Sequence, residues 1–75
     1  MAYSPINCSF HDILLDRVTR QKICKIQFKN ENTIGIYNGK LIDVYSKEGE
    51  EYLVGENDFK IRLDKIISLD DIENK

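Results

Sequence analysis

From Lys22 to Leu69 the apolar residues of this chain recur mostly at every second position, in runs that polar turn signals interrupt. A period of two places side chains on alternating faces of a strand, so the greater part of the chain must form β structure with one face buried. Residues 22–29, KICKIQFK, put Cys24, Ile26 and Phe28 on one face and Lys25, Gln27 and Lys29 on the other. EYLV sets Tyr52 and Val54 against Leu53. In FKIRLDKIISL, Phe59, Ile61 and Leu63 oppose Lys60, Arg62 and Asp64 until Ile66 and Ile67 break the rhythm.

Turns are predicted at Asn30-Glu31-Asn32, at SKEGE (46–50), at Gly55-Glu56-Asn57-Asp58 and at Asp64-Lys65. TIGIYNGKLIDVY is the ambiguous stretch, because Asn38-Gly39 is a strong hairpin signal. A tight hairpin there would oppose Ile34 to Asp43 and Thr33 to Val44, mixing faces. One long strand keeps Ile34, Ile36, Ile42 and Val44 on a single parity, so the expectation is one strand kinked or bulged at Asn38-Gly39, with those residues inward.

Only the start departs from the period of two. Ser9 followed by FHDILLDRV reads as a helix over 9–19, with Ser9 as cap, Asp12 as capping-box acid and Phe10, Ile13, Leu14 and Val18 as its apolar stripe. Asp12 and Asp16 share another face, with Arg20 one turn on. The fold class is therefore mainly β with one N-terminal helix: a small β barrel of about five strands over 22–69, closed or half-open, with the helix covering an open end.

Seventy-five residues make a single domain over 1–75, and a chain this short buries only about 60% of its unfolded surface, so the core must be thin. No apolar run is long enough to cross a membrane, and MAYSPINCSF lacks the pattern of a secretory signal, so a cytoplasmic location is expected. The net charge of −2 conceals an asymmetry. Residues 1–40 carry six Lys/Arg against three Asp/Glu, and residues 41–75 carry five against ten, so the halves are +3 and −5. That balance disfavours general nucleic-acid binding, which needs clustered cations.

Cys8 and Cys24 make no disulfide framework, and Cys24 falls on the apolar side of a strand. Cys8-x-x-His11 has too few companions for a structural zinc site, and His11 has no recognisable nucleophile to serve. Neither metal, cofactor nor enzymatic activity is expected. Pro5-Ile6-Asn7-Cys8 is expected to fix the chain's approach to the helix, with Ile6 or Cys8 packed inward. Lys60 and Arg62 read as the outward face of a strand, paired across to acids such as Glu51, and Asp64 as a turn residue.

SPINC near the start, EYLV after a polar turn and RLDKI before the last strand together resemble the Rof (YaeO) family of Rho-binding antiterminators. The likeness covers most of the chain and is loosest between Asn30 and Lys47. It implies an N-terminal helix on a small Sm-like or SH3-like β barrel and a function of inhibition. Rof-like proteins bind the N-terminal domain of the bacterial termination factor Rho and obstruct its primary RNA-binding site, reducing termination.

Carried onto this chain, the family's acid after PINC is matched by Asp12, and its polar loop facing Rho by Lys47, Glu48 and Gly49. Asp16 and Glu50 join the expected contact set as their neighbours. The chain departs from the family directly after PINC, where Ser9, Phe10 and His11 stand in place of further acids, and in carrying Arg17 and Arg20. The expected partner is Rho, with no direct nucleic acid, no membrane and a monomer on its own. Two rivals remain: an Sm-like RNA-binding module using Lys25, Lys29, Lys60, Arg62 and exposed tyrosines, and a Rof-like domain that binds another protein. The first lacks any obvious aromatic stacking pair beside cations in the sequence.

Overall fold

A computed structural model describes residues 6–74, and Pro5 of the PINC motif lies outside them. Helix α1 (Cys8–Arg20) starts one residue before the predicted cap. Asn7, not Ser9, caps it: the Asn7 Oδ1 accepts from the Ser9 backbone N–H at 2.7 Å. Asp12 consequently lies beyond the first turn, which contains no acid, and the capping-box reading is corrected. Gln21 ends the helix in the left-handed region (φ 52°), with Arg17 and Arg20 in the last turn, where cations suit the carbonyl end. Phe10 and Leu14 are buried, with Ile13, Val18 and Ile6 packed against the same core, while Cys8 is exposed.

The helix is followed by β1 (Ile23–Asn30), β2 (Thr33–Lys47), β3 (Glu50–Gly55) and β4 (Lys60–Arg62). A 3₁₀ turn at Leu63–Lys65 then leads into β5 (Ile66–Leu69) and β6 (Ile72–Glu73). All the pairings are antiparallel, in the order β4-β3-β2-β1-β5-β6. The protein is thus mainly β with one N-terminal helix, and its bent sheet is not closed. The sixth strand comes from the acidic tail, beyond the span expected to hold strands: Ile72 pairs with Leu69, and the Asn74 side chain donates to the carbonyls of Leu63 and Ile66.

The long strand forms as expected, 15 residues without a hairpin at Asn38-Gly39. Its first half pairs with β1 in unbroken register through Lys25↔Asn38 and Cys24↔Gly39, and its second half pairs with β3. The irregularity lies further on, between Leu41 and Asp43. The face assignment is also corrected. Ile34, Ile36 and Ile42 point outward at 65%, 55% and 54% exposure, while Gly39 and Leu41 are buried.

Aromatic packing explains the reversal. A Cβ on Gly35 would lie 2.4 Å from Cζ of Phe28, and one on Gly55 would lie 2.6 Å from the Tyr37 ring and hydroxyl. The glycines make room for rings that fill the inner face, and Tyr37 stacks on Phe59 at 4.2 Å. The Tyr37 hydroxyl donates to the Lys40 carbonyl at 2.6 Å and accepts from the Glu56 N–H at 2.7 Å. After the bulge the parity changes, and Val44 turns towards the core beside buried Leu53. Cys24, Ile26, Leu41, Leu63, Ile66 and Leu69 complete that core. Among the described residues no helix is long and apolar enough to cross a membrane.

Candidate partner-binding surface

Two stretches far apart in the sequence meet at one end of the sheet. His11, on α1, brings Nε2 to 2.9 Å from Oε2 of Glu51 at the start of β3, and both side chains are half-buried. The pair ties the first half of the helix to the turn end of the β2–β3 hairpin. Ile6, Cys8, His11, Asp12 and Glu51 line a shallow depression there. Asp12 is exposed.

The hairpin itself turns through Glu48 and Gly49, at φ 54° and 80°, with Lys47 paired to Glu50. Two consecutive residues with positive φ make the primed turn that matches strand twist. Lys47, Glu48 and Gly49 are all exposed. Asp12 and the hairpin therefore sit at the same end of the molecule, linked through the His11–Glu51 hydrogen bond.

The other two expected contact residues are engaged within the protein. Asp16 accepts from Arg17 at 3.1 Å and Arg20 at 2.9 Å, so two guanidinium groups match its charge. Arg17 also reaches Asp70 at 3.5 Å. Glu50 faces the opposite side of β3 from Glu51. There it accepts from the Tyr52 hydroxyl at 2.6 Å and from Arg62 at 3.2 Å.

Arg62 was expected to pair with an acid such as Glu51; its partners are Glu50 and Asp64, the latter at 2.6 Å, because Glu51 is turned inward to His11. Asp64 lies in the 3₁₀ turn as a partner of Arg62 as well as a turn residue. The bond to Asp64, reinforced by both carboxylate charges, raises the guanidinium pKa further. The hydrogen bond to Glu50 likewise raises the Tyr52 phenol above its ordinary value, with burial and the Glu50 charge adding to it.

Sequence reasoning missed the aromatic group on this outer face. Tyr45 and Tyr52 stack with centroids 5.4 Å apart and an interplanar angle of 23°. Lys60 holds its Nζ 4.8 Å from the Tyr52 centroid and 5.6 Å from that of Tyr45. Tyr52, Lys60, Ile61, Arg62 and Lys65 line a shallow groove beside it. A stacking pair beside cations is therefore present. The signal was available in the sequence: counting outward from a Glu48-Gly49 turn pairs Lys47 with Glu50, Ser46 with Glu51 and Tyr45 with Tyr52.

Among the described residues no group of three or more His, Cys, Asp or Glu side chains is placed to hold a metal ion. Both cysteines are free. Buried Cys24 donates to the Lys22 carbonyl at 3.3 Å, and burial, followed by the Asp70 charge, raises its pKa. In comparisons with known proteins, no family model matches the chain and no curated protein sequence matches it.

Proposed function

We propose that this protein is a cytoplasmic inhibitor of Rho-dependent termination that binds the Rho N-terminal domain and blocks its primary RNA-binding site. The motif resemblance supplies the partner. The observation that carries the surface is the His11–Glu51 pair, which joins the turn bearing Asp12 to the hairpin bearing Lys47, Glu48 and Gly49. An RNA-binding groove of the OB type is cationic and holds stacking surfaces. Exposed carboxylates at Asp12 and Glu48 on one end of a small domain suit such a groove, and complementary charge speeds encounter.

Calorimetric titration against the Rho N-terminal domain, with and without a pyrimidine-rich RNA, tests the reading. Binding that the RNA competes away, and that Asp12→Lys or Glu48→Lys weakens by about tenfold or more, is the expected result. Lack of binding at low salt would overturn it.

The Tyr45–Tyr52 stack under Lys60 favours a second reading, direct binding of single-stranded RNA on the outer face of β2, β3 and β4. The same titration separates the two. RNA binding without Rho, lost in Tyr52→Ala and retained in Asp12→Lys, selects the RNA-binding module.

A further inference from the structure

The outer face of the β1–β2 ribbon carries Ile23, Ile34 and Ile36, and Ile42 follows just beyond the paired segment; they are 74%, 65%, 55% and 54% exposed among the described residues. Isolated exposed apolar residues are ordinary, but a row of β-branched side chains along one paired face is not. The register sets lysines among them. Ile23 lies beside Lys40 at one end, and Ile34 lies beside Lys29 at the other. Between them Ile36 neighbours Gln27, and Lys25 neighbours Asn38.

Lys25, Lys29 and Lys40 are exposed, and the described ion pairs include none of them. No carboxylate occupies any of these paired positions. At the margins, Asp70 and Glu56 each direct one oxygen to a backbone N–H, of Lys25 and Lys40 respectively, at 2.9 Å, and Glu31 stands exposed in the turn that joins the two strands. The paired positions of the face are therefore apolar and positive, and the ribbon's one acid lies in its turn. The face lies apart from the surface built around His11 and Glu51.

We propose that this ribbon face is a second docking surface, and that its occupant is an acidic protein segment that alternates carboxylates with apolar side chains. Charge complementarity supplies the sign, and the isoleucines supply the area that leaves water. A nucleic acid fits less well, because the paired positions of this face hold no aromatic side chain for a base to stack on. A bilayer also fits less well: amphipaths that lie on membranes segregate cations from the apolar stripe, and here lysines and isoleucines interleave.

The test is fluorescence anisotropy of the full chain against a labelled peptide alternating Glu and Leu over about ten residues, enough to span the ribbon. Equal-length Glu/Ser and Lys/Leu peptides serve as controls. The Glu/Leu peptide alone should bind, more weakly as salt rises. Ile34→Thr/Ile36→Thr, which keeps β-branched residues in the strand, should weaken it by about tenfold or more, as should Lys25→Glu/Lys29→Glu. Asp12→Lys should leave it unchanged, which keeps this surface distinguishable from the proposed Rho-binding end. The peptide comparison on the unsubstituted chain reads the apolar contribution even where a variant loses its fold. Equal binding of the Glu/Ser peptide, no binding of the Glu/Leu peptide, or preferential binding of phosphatidylglycerol vesicles or poly-uridylate would each overturn the proposal.

Discussion

Single side chains decide which acids of this protein face outward. Glu50 and Glu51 are adjacent, yet strand alternation sends one to Tyr52 and Arg62 and the other to His11. A pairing argument wrong by one residue thus selects the wrong face of the sheet. The two cysteines differ as sharply. Cys8 is exposed, whereas Cys24 is 1% exposed and its thiol pKa is raised, chiefly by burial. At neutral pH, iodoacetamide should modify Cys8 alone in the folded protein and both thiols in denaturant, read by mass spectrometry. The sign of the pH effect follows from the same burial. A thiol that holds its proton more tightly when folded leaves stability unaffected below the unfolded thiol pKa and lowers it as pH rises above that value. Cys24→Ser should therefore flatten the alkaline fall in melting temperature, whereas Cys8→Ser should not.

At the scale of elements, β2 shows what the sequence could and could not specify. Its length and its refusal to turn at Asn38-Gly39 were legible, because a hairpin there would have mixed the faces. Its inner face was not. Ile34 and Ile36 have the composition of a buried row, but Gly35, Gly39 and Gly55 are the positions over which Phe28 and Tyr37 lie. Hydrophobic alternation does not register a glycine that makes room for a ring from another strand. The helix and the polar hairpin of the candidate surface were legible from local patterns, while the hydrogen bond joining them spans 40 positions and has no local signature. Gly55→Ala tests the ring packing. Its Cβ would meet a tyrosine ring fixed by two hydrogen bonds and a stack, so a loss of about 1–3 kcal/mol is expected in chemical denaturation. Gly49→Ala meets no atom within 4 Å and is strained only by its φ of 80°, so a smaller loss of about 1 kcal/mol is expected there. Equal losses at the two sites would rule out ring packing as the reason for the inner glycines.

The whole molecule is a thin core held between an unclosed sheet and one helix. Among the described residues nine apolar side chains are buried, and two of them, Phe10 and Leu14, belong to α1. The helix is therefore part of the fold as well as a carrier of Asp12. A chain of 75 residues is expected to be stable by about 4–11 kcal/mol in total. Leu14→Ala removes a fully buried side chain and should cost about 2–5 kcal/mol, a large share of that margin. At roughly 4–8 °C per kcal/mol for a domain of this size, the melting temperature should fall by about 10 °C or more. Leu15→Ala, at a neighbouring position 41% exposed, should change stability by no more than about 0.5 kcal/mol. Thermal melts of the two variants by circular dichroism make the comparison. Similar small shifts would mean that the helix rests on the sheet without completing its core. A large shift for Leu14→Ala alone would mean that Asp12 keeps its position beside the hairpin only while the core is intact. The proposed Rho-binding end and the hydrophobic core would then be lost together, in one cooperative transition.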